Sequence, residues 1–139
     1  MQATVFTKIV NREIPAAIVF EDLHTIAFLD AGQVNPGHVI VATKKAVETI
    51  LELDDEAAGA LFQTAARVAR AIDKAFSPEG FTILQANKPA GWQTVPHVHL
   101  HVLPRHSGDG VTFTWPKKSP PIEELKAIAS RISVWSQSV

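Results

Sequence analysis

Cysteine is absent from the 139 residues of this chain, so disulfides, thiolate metal sites and thiol redox chemistry are closed to it. A surplus of either charge is absent too: 13 Lys and Arg oppose 14 Asp and Glu, with no long run of one sign. Such a balance lacks the single-sign basic face that a nucleic-acid polymer requires. The small pairs Lys44-Lys45 and Lys117-Lys118 read as solvated surface. Nowhere do apolar residues approach the ~20 that span a bilayer, and the first residues, MQATVFTKIVNREIP, lack a basic flank followed by a long apolar run. The expectation is a soluble, cytoplasmic protein with no membrane partner. No repeat, low-complexity tract or linker divides the chain. At 46% hydrophobic it can build one core, so residues 1–139 are read as a single domain.

What is present falls into short β-type runs and two helical stripes. TVFTKIV (4–10), AIVFED (17–22), TIAFLD (25–30) and HVIVAT (38–43) are β-branched or alternating. The turns between them are too short for helical crossovers, which predicts antiparallel neighbours. From about Asp54 to Phe76 the period changes: Leu61, Ala65, Val68, Ile72 and Phe76 recur every three or four residues. This predicts the main helix, with Asp54 as N-cap, Asp55 and Glu56 at the positive end of the helix dipole, and Ser77-Pro78 with Gly80 as the stop. A shorter helix is expected over Lys45 to Leu51. FTILQA (81–86) and TVPHVHLHVLP (94–104) predict two more strands around the loop 87–93. Finally Ile122, Leu125, Ile128, Ile132 and Trp135 form a second stripe behind Pro121, read as a C-terminal packing helix. The sum is an α+β fold with an antiparallel sheet of about five strands, one main helix and a C-terminal helix.

Three of the six histidines stand at alternate positions in HVHLHVLPR (97–105). On a strand, residues i, i+2 and i+4 share a face, so His97, His99 and His101 point one way while Val98, Leu100 and Val102 point to the core. An exposed strand face could carry such imidazoles without a function. A metal could also use them, since His-x-His can put two ring nitrogens ~2.0–2.1 Å from one zinc, with His38, His106 or Asp109 completing the set. The third possibility is phosphoryl chemistry. A neutral imidazole, abundant at pH 7 given an ordinary pKa near ~6.5, attacks phosphorus without a separate base. Its neighbours can donate hydrogen bonds to the phosphate oxygens where charge gathers.

The run His97-Val98-His99-Leu100-His101-Val102-Leu103, with Gln93 four residues before the first histidine, closely resembles the His-x-His-x-His-x-x signature of the histidine triad (HIT) family of nucleotide hydrolases and transferases. Residues 6–45 resemble the family's N-terminal half, so the likeness covers most of residues 4–105. It implies that His99 attacks the α-phosphate of a purine nucleotide and becomes transiently nucleotidylated before water releases the nucleoside monophosphate. His101 would contact phosphate, and His97 would order the site, partly by holding the nucleophile's other ring nitrogen on its main-chain carbonyl. His38 matches the family's fourth histidine, beside the nucleophile.

Asp30 matches the acidic residue on the ribose hydroxyls, a role suited to the two acceptor oxygens of a carboxylate. Val5, Phe6, Ile9 and Phe28 match the slot for the base, and Asn87, Gln93 and Thr94 fall near positions that approach ribose, phosphate or leaving group. The resemblance also implies a homodimer, and a reaction with no cofactor and no metal among its protein groups. Two departures stand out. Trp92 precedes Gln93 where the family commonly has glycine, and the loop 87–93 is one residue short, which points to a changed leaving-group pocket. Ala46 replaces the family's usual histidine after the Lys-Lys pair and Thr7 its occasional N-terminal cysteine, so zinc is not expected there.

Overall fold

The computed structural model describes residues 2–139 and contains eight regular elements: α1 (Val5–Val10), β1 (Ile18–Glu21), β2 (Thr25–Leu29), β3 (Val39–Thr43), α2 (Asp55–Phe76), β4 (Gly80–Gln85), β5 (His99–Arg105) and α3 (Ile122–Ser136). Single 3-10 turns lie at Ile50–Glu52 and Pro89–Gly91. All strand pairs are antiparallel, in the order β1-β2-β3-β5-β4, so the expected five-stranded α+β sheet is present and the histidine strand lies inside it.

Side-chain alternation divides the two faces of that sheet. Val98, Leu100 and Val102 join Val39, Val41 and Ala27 against the α2 stripe of Leu61, Ala65, Val68 and Ile72. Burying a side chain of this size stabilises by roughly 1.5–3 kcal/mol, and α2 is fixed by that face. The helix starts where Asp54 Oδ1 accepts from Ala57 N at 2.8 Å and stops at Ser77, which takes a left-handed conformation. Phe76, at the end of the stripe, stays half exposed. The opposite face holds Ile26, Phe28, Ile40 and Ala42 under Phe6 and Ile9 of α1. Ile40 pairs with His101 and Ala42 with His99, which brings the histidines out on the α1 side.

Four sequence expectations need correction. The strand expected over 94–104 begins only at His99, so His97 lies outside it, wholly buried. The run expected as a strand over 4–10 forms the helix Val5–Val10 instead: its N-cap Thr4 and Thr7 make a reciprocal capping box, and Phe6 and Ile9, three apart, bury the same side. Lys45 to Leu51 is not a helix: Val47 O accepts from Val98 N at 2.9 Å, a bond to a distant segment instead of one along a helix, and only the turn Ile50–Glu52 winds up. The C-terminal helix forms as expected but buries none of its residues against the described chain, its apolar stripe remaining 44–67% exposed.

Candidate active site

β5 presents His99 and His101 to a cleft of about 640 Å³, within the range of small-ligand sites. Val5, Phe6, Ile9 and Phe28 form its apolar end, joined by the segment 14–17, which sequence reasoning missed because an Ile-Pro-Ala-Ala turn carries no chemical signal. Asp30 and Thr94 line it as well. Asn87 and Gln93 do not. Asn87 Oδ1 accepts from Ile50 N and its amide bonds to Gln85, while Gln93 accepts from Lys88 N and donates to Glu48 O, both at 2.7 Å. In this structure both side chains brace the 87–93 loop instead of reaching the cleft.

The hydrogen bonds decide which nitrogen of each ring holds its proton. His99 Nδ1 lies 2.6 Å from His97 O, an acceptor only, so Nδ1 carries the hydrogen and Nε2 keeps a free lone pair. His97, wholly buried, likewise donates from Nε2 to Thr43 O at 2.7 Å, leaving its Nδ1 without a partner. His38 Nδ1 accepts from Val34 N at 3.3 Å, so its proton sits on Nε2 and is donated to His101 Nδ1 at 2.8 Å. His101 must then carry its own proton on Nε2. One ring therefore offers a nucleophilic nitrogen and its neighbour a hydrogen-bond donor. Phe6 stands edge-on to His99, ring centres 4.8 Å apart, and helps wall it from water.

Burial pushes the pKa of His38, His97, His99 and His101 below the ordinary value. For His38 and His101 the nearby Asp30 opposes that shift, and for His99 the bond to the His97 carbonyl opposes it. Asp30 Oδ2 lies 3.4 Å from His38 Nε2 and 3.8 Å from His101 Nδ1, distances that admit ion pairs. Since burial dominates, these are contacts to neutral rings near pH 7.

The ligating atoms of Asp30, His38 and His101 lie within 4.8 Å of one another, a spacing a metal could use among the described residues. An ion there would first have to displace the proton between His38 and His101 and turn His38 against the Val34 amide. Asp109 is already held by Arg105, with 2.7 Å and 3.1 Å contacts that drive its carboxyl far below the usual range.

The HIT domain family model matches residues 11–108. A protein named hit from Bacillus subtilis is 39% identical over 132 residues, covering 93% of this chain and 91% of its own. An adenosine 5′-monophosphoramidase of Schizosaccharomyces pombe is 33% identical over 130 residues, covering 93% of this chain and 95% of its own. Among solved structures, a HIT family protein of Bacillus anthracis superposes with a TM-score of 0.90 at 37% identity, covering 97% of this chain and 96% of its own.

Proposed function

This chain belongs to the HIT family of nucleotide-binding hydrolases and transferases, and from that premise we propose that it hydrolyses purine nucleotides, releasing AMP from phosphoramidates or dinucleoside polyphosphates through a nucleotidyl-His99 intermediate. The observation that carries this reading is the bond from His99 Nδ1 to His97 O, which leaves Nε2 as the free nucleophile. In the first step Nε2 attacks the α-phosphorus, a P–N bond forms, and the bond to the leaving group breaks. The positive charge gained by the ring faces the His97 carbonyl. Water then attacks phosphorus, the P–N bond breaks, and AMP leaves. His101 donates from Nε2 to a phosphate oxygen, and His38 keeps His101 in that tautomer. Asp30 accepts from the ribose hydroxyls, and the base lies against Val5, Phe6, Ile9 and Phe28. The phosphoramidate substrate draws support from the fission-yeast relative, an adenosine 5′-monophosphoramidase.

A homodimer belongs to the same reading. The unpaired outer edge of β4 and the bare stripe of α3 are features a second copy could cover. No cofactor and no nucleic-acid or membrane partner is assigned. The test follows AMP release from adenosine phosphoramidate and diadenosine polyphosphates, with wild type and His99→Ala side by side in chelator. Release by the wild type alone, with AMP affinity surviving in the variant, is the expected result. Equal activity in His99→Ala would defeat the covalent route, and binding without any turnover would favour a nucleotide-binding module.

A further inference from the structure

The turn Asp30-Ala31-Gly32-Gln33-Val34-Asn35-Pro36-Gly37-His38 joins β2 to β3 and carries two proposed site residues at its ends. Its regular pairing is thin, one bond from Asp30 N to His38 O at 3.0 Å. Beside the bonds from His38 N to Asn35 O at 3.1 Å and from Val34 N to His38 Nδ1 at 3.3 Å, its closure runs through one side chain. Gln33 Nε2 donates to Asp30 O at 2.6 Å and to His38 O at 2.7 Å, while Gln33 Oε1 accepts from Gly37 N at 2.9 Å and His38 N at 3.2 Å. Both donors and both acceptor positions of the carboxamide are thus used, and every partner is main chain of the two loop ends. Asp30 Oδ1 in turn accepts from Gly32 N at 2.8 Å, so the carboxylate is oriented by the same turn that Gln33 closes.

We infer that Gln33 is a positioning residue: it sets the Asp30 carboxylate at the ribose and the His38 ring behind His101, and so governs how well the site reads the sugar. This rests on the proposed function, since it takes Asp30 as the ribose contact. Gln33 borders the cleft and is itself exposed, so replacing it removes the bracing amide without opening the core. Asn35 supplies a contrast in the same turn. Its amide donates to Pro104 O at 2.9 Å and Asp109 Oδ2 at 3.0 Å, and so ties the loop to the end of β5, away from Asp30.

The experiment measures binding of AMP and of 2′,3′-dideoxy-AMP by calorimetry to wild type, Gln33→Met, Asp30→Asn, the double variant and Asn35→Ala, each first checked for native circular dichroism. The wild type should prefer AMP. Gln33→Met should lose roughly fivefold or more of that preference with dideoxy binding little changed, as expected for displaced hydrogen bonds to a charged group. The double variant should discriminate no worse than Asp30→Asn, because both act on one contact. Asn35→Ala should keep the wild-type ratio. Equal losses for both ligands in Gln33→Met, additive losses in the double variant, or the same ratio change in Asn35→Ala would overturn the inference. A wild type that binds both ligands alike would remove the ribose role of Asp30 and this inference with it, a failure visible before any Gln33 variant is measured.

Discussion

The proposed nucleophile works only as the neutral ring, and burial lowers the pKa of His99 below the ordinary ~6.5. The sign follows directly: on acidification the folded protein keeps His99 unprotonated past the pH at which a solvated histidine would charge. The acid limb of kcat/KM should therefore lie below pH ~6.5. A limb at or above that value, in a pH profile with adenosine phosphoramidate, would contradict the buried-nucleophile picture. At the same scale, Asp30→Ala should weaken AMP far more than 2′,3′-dideoxy-AMP in equilibrium binding, and equal losses would refute the carboxylate's assignment to the ribose.

Among the elements, α2 and β5 were legible because their periods are unambiguous: an apolar stripe of Leu61, Ala65, Val68 and Ile72 in one, strict alternation of imidazole and aliphatic side chains in the other. α1 was not, since Val5, Thr7, Ile9 and Val10 carry β propensity, and only tertiary burial of Phe6 and Ile9 with the Thr4 cap selects a helix. Of the site, the triad, Asp30 and the apolar end were legible by position. The bracing roles of Asn87, Gln93 and Gln33 were not, because a polar side chain in a loop gives no sign of which backbone groups it will bind. Gly37 shows how tightly the β2–β3 turn is fitted. Its φ is +99°, and an added Cβ would sit 3.2 Å from the Phe76 ring. Gly37→Ala should cost about 1–3 kcal/mol for the strained backbone alone. Denaturant unfolding with a midpoint unchanged from wild type would show that the turn relaxes freely.

For the whole molecule, four histidines with lowered pKa make stability depend on pH. Unfolded, each regains a pKa near ~6.5 and takes up a proton that the folded form refuses, so stability is full above that pH and falls as acid is added. The slope is about 1.4 kcal/mol per pH unit for each histidine, ending once its folded pKa is passed. The melting temperature should drop steeply between pH 7 and 5, well above the range in which carboxylates such as Asp22 or Asp109 protonate. A flat melting temperature across that interval would show that the rings charge without unfolding. Assembly is testable at the same scale: sedimentation should report a dimer, and truncation after Pro121 tells whether α3 or the β4 edge sustains it.

The orientation of the His38–His101 pair begins at a group that no substitution except proline removes, the Val34 amide. An alanine scan across the turn would pass over it in silence. Semisynthesis with an ester in place of that peptide bond would delete one hydrogen atom's worth of donor and let both rings choose their tautomers anew. Which nitrogen of each ring holds its proton is thus written in the polarity of the main chain.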